Sequence, residues 1–237
     1  MKLPAPSLSA ACVLVSFAAS AAGSIGGTVG FTGPAPKMEK QNRKSDIVCA
    51  KKQSVDPTVV LSKDGKALAN VVVRLVKNVP PASGPLPTTP ALIDQKDCVF
   101  EPHVQGAISG QKVQVKNSDG TLHNVHAFNG VEPLPEKTVF NTGMPPGSTD
   151  VVKGLKDAEL VKVTCDVHPW MSAYVIVSKH PYFSVSDAEG KFELRNVPPG
   201  KYTVEAWHEK YGTRTAEVTV EEGKAAAPAF SFSESGQ

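Results

Sequence analysis

Seven residues, Cys165-Asp-Val-His168-Pro-Trp-Met171, place a thiol, an imidazole and a thioether on one short loop, with two residues between neighbours. A His-Asn-Val-His run, His123 to His126, lies roughly forty residues upstream. Holding such donors at one point demands a frame that does not relax. Three of them fit a loop between two strands, stiffened at Pro169 by the fixed proline backbone, and the fourth, His123, must come from a strand distant in sequence. The set suits a copper ion that shuttles between Cu(I) and Cu(II), because a His2Cys plane with a weak axial Met is the arrangement of blue-copper sites. A rigid β-frame changes little between oxidation states and so favours fast one-electron transfer.

The rest of the chain is compatible with that frame. Its 237 residues are enough for one large or two small domains, and its 20 prolines, 19 glycines and short Val-rich segments favour an all-β chain over a helical one. Strands are expected at Ser24 to Thr32, Ala69 to Val76, from Cys98 towards Val104, at Leu122 to Phe128, before Cys165, and at Ala173 to Val177. Others are expected at Lys191 to Leu194, Lys201 to Trp207, Thr213 to Val220 and near Phe230. Residues 33 to 56 read as polar and irregular, and Val79 to Pro90, with five prolines, as an exposed loop or linker. The formal charge of +2 shows no basic block, so it makes no case for nucleic acid or an anionic membrane surface.

Residues 1–22 have the pattern of a secretory signal: Lys2, an apolar run from Leu8 to Ala22, and Ala19-Ser20-Ala21 as an A-x-A site. The expectation is therefore a periplasmic or secreted protein with no membrane span in its mature chain. Of four cysteines, Cys12 leaves with the signal and Cys165 goes to the metal, which leaves Cys49 and Cys98 for a disulfide in an oxidising compartment.

Each part of the ligand motif has an ordinary alternative. A Cys-x-x-His is common by chance, His-Asn-Val-His suits any strand and turn, and a lone Met is more often core. Their conjunction on an exported all-β chain is far more specific. Zinc also accepts Cys and two His, but a thioether is a poor zinc ligand.

Leu122-His-Asn-Val-His-Ala-Phe128 and Cys165-Asp-Val-His-Pro-Trp-Met171 resemble the two ligand segments of the cupredoxins, the blue copper proteins, and the short loop is most similar to that of amicyanin. The resemblance covers roughly residues 92–178. It implies a Greek-key β-sandwich with one type 1 copper held by His123, Cys165, His168 and Met171, and Asn124 as the amide that braces the Cys loop. His126 is then a nearby, non-coordinating residue. It further implies that His168 sits near the surface in an apolar patch, with Pro169 and Trp170 meeting a transient redox partner. Val163 stands where the family usually has an aromatic residue, and Asp166 where Ser or Thr is common. A carboxylate there, pointing inward, would favour Cu(II).

A second resemblance lies in Phe183-Ser-Val-Ser-Asp-Ala-Glu-Gly-Lys-Phe-Glu-Leu-Arg-Asn-Val-Pro-Pro-Gly-Lys-Tyr-Thr-Val-Glu-Ala, which is similar to the carboxypeptidase regulatory-like domain, a prealbumin-type β-sandwich. That family opens with a Gly-x-Val strand and one like Ala69 to Leu75, which here precede the cupredoxin segment. The expected organisation is a discontinuous sandwich, residues 24–80 with 181–237, and a cupredoxin domain of residues 92–178 inserted between them. The alternative gives residues 57–80 to the cupredoxin as its first strand. His180 and His208 show no metal spacing, and His103 has a small chance of lying near the metal.

The expected function is one-electron transfer by a monomer with a transient protein partner. The alternatives are a copper carrier or sensor without a redox partner, and a carbohydrate-binding or adhesion module resting on the sandwiches alone. Catalysis is not expected: the additional His-x-His pairs of a multicopper oxidase are absent, as is the second loop Cys of a binuclear electron-transfer site.

Overall fold

The computed structural model describes residues 21–82, 84–130, 137–152, 155–156 and 160–234. The expected signal segment falls almost wholly outside the described residues. The chain is all-β: among the described residues the one helical element is a single 3-10 turn, Cys49–Lys51. No helix among them is long and apolar enough to cross a membrane.

Four sheets form two layered pairs. In the first pair, Gly23–Thr32 lies between Lys191–Val197 and the parallel strands Ala225–Ala226 and Phe230–Ser233. The facing sheet runs Phe183–Val185, Val72–Lys77, Gly200–His208, Gly212–Val220. One apolar cluster joins them, with Ile25, Val29, Val73 and Leu75 from the chain's first third and Leu194, Tyr202, Val204 and Phe232 from its end. Lys191–Val197 alternates exposed and buried residues over most of its length, as a strand with one wet face must.

The second pair is built from the chain between. One sheet has the order Val104–Ile108, Ser172–Ser178, Leu160–Thr164, His123–Asn129, Lys137–Met144. The other runs Val99–Glu101, Ala91–Lys96, Val113–Asn117, Thr149–Val152. Their shared cluster includes Ile93, Phe100, Val115, Val125, Val161 and Val175, and it also holds Cys165 and Met171.

Strand Ser172–Ser178 shows how the two pairs meet. Its residues from Ala173 onward are buried on both faces. Ala173, Val175 and Val177 point into the second pair's core, whereas Tyr174 and Ile176 join Val72 and Val104 in a small cluster between the pairs. Gly106 belongs to this junction: a Cβ there would lie 2.1 Å from Cε2 of Phe183, so only a bare backbone lets that ring in. His103 sits at the same seam. Its Nδ1 faces the carbonyl of Ser172 at 3.0 Å and its Nε2 is hydrogen-bonded to Glu209. It therefore joins the two pairs.

Two expectations need correction. The strand expected to run from Cys98 to Val104 is broken, because Val99–Glu101 pairs with Ala91–Lys96 while Val104–Ile108 pairs with Ser172–Ser178 in the other sheet. Pro102 lies at the change, where a residue without an N–H cannot continue a ladder. The strand expected from Ala69 begins only at Val72, because Asn70 takes a left-handed turn conformation with φ 61°.

Candidate metal centre

His123 opens strand His123–Asn129, which pairs with Leu160–Thr164 and Lys137–Met144 on its two sides. Thr164 and Ser172 are the last paired residues of the hairpin, so Cys165 to Met171 form its seven-residue loop. The loop is folded by its own backbone: the Met171 amide donates to the His168 carbonyl at 3.0 Å. Asn124 fastens it to the neighbouring strand. Its Oδ1 accepts the Asp166 amide at 2.7 Å, while its Nδ2 donates to the Asp166 carboxylate (2.8 Å) and to Asn141 (2.9 Å).

This framework brings three donors together. Nδ1 of His123 and Nδ1 of His168 are 2.8 Å apart, and Cys165 Sγ lies 4.0 Å from the first and 3.7 Å from the second. His123, His168, Cys165 and Met171 are all buried, and Cys165 is the one free thiol among the described residues.

The outer edges of the imidazoles decide what the inner edges can do. Nε2 of His123 donates to Asp119 at 3.1 Å, and Nε2 of His168 to Asp46 at 3.3 Å. A carboxylate can only accept, so each ring carries its proton on Nε2 and presents a bare lone pair at Nδ1. Two buried lone pairs facing each other beside a sulfur repel unless a cation lies between them. Burial also lowers the pKa of His123, against the pull of Asp119, which makes a proton a poor candidate for that cation. The donors therefore fit a soft or borderline metal ion taking two imidazoles and a thiolate.

Asp46 itself stays ionised. Its pKa is held at about 2, first by the amide of Cys49 and then by Thr121, Val48 and His168, against its own desolvation. Sequence reasoning missed this residue and Asp119, since neither belongs to the ligand motif. A carboxylate four residues before a ligand histidine was the available clue to Asp119. Nothing in the sequence pointed to Asp46.

Cys49 and Cys98 are joined as a disulfide, and Cys49 Sγ lies within 4.8 Å of ring nitrogens of both His123 and His168. Bonded to each other, these sulfurs are not thiolate ligands, so the disulfide forms a wall of the site. Asp166 is turned away from the thiolate: its carboxylate faces His126, Asn124 and Asn141 and is half-exposed. Trp170 is half-buried and held by its neighbours. Its Nε1 donates to the Cys98 carbonyl at 3.2 Å, its own carbonyl accepts from Gln41, and Arg43 lies 5.9 Å over its ring. Pro169 stays exposed, and His168 is only 2% exposed.

Residues 162–232 match the family model of the carboxypeptidase regulatory-like domain. That match begins inside the ligand hairpin, whose strands pair in the other sheet pair, and omits Gly23–Thr32 and Val72–Lys77, which complete the sheets of the matched part. No curated protein sequence matches the chain. Solved structures similar to it include a purple cupredoxin from Nitrosopumilus maritimus (21% identity, 37% of this chain and 99% of that one, TM-score 0.32). An amicyanin mutant in its Cu(I) state is similar at 20% identity over 45% and 98% of the two chains, with a TM-score of 0.33. A copper-containing nitrite reductase from Thermus scotoductus is similar at 18% identity over 42% and 24%, with a TM-score of 0.31. The chain thus combines a match to the regulatory-like domain family with structural neighbours among the cupredoxins.

Proposed function

We propose that the centre holds one copper ion on His123, Cys165 and His168, with Met171 as a weak fourth ligand, and that the protein is a one-electron carrier. The observation that carries this is the convergence of two Nε2-protonated imidazoles and a free thiol, their Nδ1 and Sγ atoms within 4.0 Å of one another in a buried pocket. Copper bound there would supply a single redox step with little rearrangement, because the ligand loop is braced by Asn124 and both rings are fixed from behind by carboxylates. The disulfide supports an oxidising compartment, periplasmic or extracellular.

The domain reading extends this proposal. The inserted unit, residues 92–178, carries the redox centre, and residues 24–80 with 181–237 form the regulatory-like sandwich, a non-catalytic scaffold. A transient partner would find its apolar surface in exposed Val167 and Pro169 together with Leu122, Ile47 and the open part of half-buried Trp170. A copper carrier would use the same ligands but needs easy exchange, which buried donors behind a disulfide oppose.

The test is to add Cu(II) to the purified protein and record visible and electron paramagnetic resonance spectra. An intense thiolate-to-copper charge-transfer band that disappears in Cys165→Ala is the expected result. A weak tetragonal Cu(II) signal, or no binding, rejects the proposal in favour of a β-sandwich interaction module. Copper that exchanges faster than it cycles would favour the carrier.

A further inference from the structure

By chain order, residues 33–71 connect two strands of the regulatory-like sheets, Gly23–Thr32 and Val72–Lys77. Their middle part leaves that sandwich and lies across the ligand histidines of the other. Asp46 is its hub. One carboxylate oxygen accepts the amides of Val48 (2.7 Å) and Cys49 (2.9 Å); the other accepts from Thr121 Oγ1 (2.8 Å) and His168 Nε2 (3.3 Å). Both flanks are fastened. Arg43, 3% exposed, donates to the Asp97 carbonyl at 2.7 Å, and Cys49 is bonded to Cys98. Gln41 Nε2 donates to the Trp170 carbonyl at 3.1 Å.

We propose that Asp46 is a positioning residue for His168, and that the segment carrying it, residues 41–51, is a disulfide-pinned cap closing the imidazole edge of the metal centre. This rests on the copper reading above. A carboxylate behind a ligand imidazole fixes its tautomer, aims its lone pair and makes it more basic, which favours the higher oxidation state of the metal. The cap places protein where an open site would let solvent, a chelator or a partner touch the His168 edge. The observation it explains is a histidine at the tip of a hairpin loop that is nonetheless 2% exposed, with its outer nitrogen on a side chain more than a hundred residues away.

Two variants separate the parts. Asp46→Asn keeps the size of the side chain and removes its charge; Cys49→Ser with Cys98→Ser cuts the pin and leaves Asp46. In copper-loaded Asp46→Asn, the Cu(II)/Cu(I) ratio at fixed applied potential should fall about tenfold, a rise of about 59 mV in reduction potential for a one-electron couple. In the double serine variant, removal of Cu(I) by an external chelator should quicken by about tenfold or more, the scale of lost outer contacts at metal sites. In metal-free protein, 15N shifts of His168 should report an Nε2-protonated ring in the wild type and a mixture of tautomers in Asp46→Ala. Absence of a charge-transfer band in the wild type overturns the copper reading, while the tautomer measurement still judges the positioning role. A band with unmoved potential and tautomer overturns the role of Asp46, and an unmoved chelator rate overturns the cap. Should the double serine variant not fold, Arg43→Ala, which frees the other flank of the cap from the Asp97 carbonyl, carries the chelator test in its place.

Discussion

The two sandwiches are both all-β, but they bury polarity differently. Around the ligand loop, Asn117, His123, Asn124 and His168 are buried and each has hydrogen-bond partners in place. In the first sheet pair the buried polar residues among those described are Ser186, Thr203 and His208, of which His208 leaves Nε2 without a partner; the unpartnered oxygens of the ligand-bearing pair, Asp94 Oδ1 and Gln95 Oε1, lie on strand Ala91–Lys96 and not on the loop. Desolvation costs every buried polar group. A sandwich that keeps several of them satisfied around one loop is built for a site. Among the described residues, the first sheet pair gathers no comparable cluster of buried polar side chains around one loop.

The largest expected effect that sharpens this contrast comes from the disulfide. Replacing Cys49 and Cys98 by serine opens a loop of 49 residues, and should cost about 4 kcal/mol of stability in urea unfolding. The loss should appear in the unfolding step of the sandwich that carries the ligands. If the other sandwich unfolds earlier instead, the cap belongs energetically to the sheets from which it emerges.

Next is a pH effect confined to the other sandwich. His208 has its pKa lowered from 6.5 to about 4, first by burial and then by His103 and Lys210. Between those values the unfolded chain binds a proton that the folded chain refuses. Stability should therefore be level above pH 6.5 and fall as pH drops towards 4, by about 3 kcal/mol in all. His208→Phe should flatten most of that slope; an unchanged slope would mean another group supplies it.

Asn124→Ala should cost about 1–3 kcal/mol, because it strands the Asp166 amide and loosens the ligand loop. Its sharper sign is a shifted copper spectrum with the metal still bound. The smallest effect is expected from Arg195→Ala, which removes an exposed ion pair with Glu193. Pairs of this kind contribute little, so thermal unfolding should not move measurably.

Much of the site was legible because its chemistry is local. Cys165, His168 and Met171 share one loop, and the residues that bring them together are written in the short apolar runs on either side. Strands with one buried face, such as Lys191–Val197, announce themselves by alternation. Lys137–Met144 was not foreseen, since most of its side chains are exposed and it carries no apolar pattern, although it hydrogen-bonds along the whole of His123–Asn129.

The sequence by itself determined the candidate donors, the all-β class and which cysteines were left to pair, because donor chemistry and strand periodicity belong to residues and their near neighbours. Only the tertiary structure decided what stands behind those ligands. Residues 41–51 are polar and without period, and their role depends on one carboxylate meeting one imidazole across 122 positions of chain. Such a contact has no local signature. It exists because the disulfide, Arg43 and the amides around Asp46 fix the segment where the His168 ring ends.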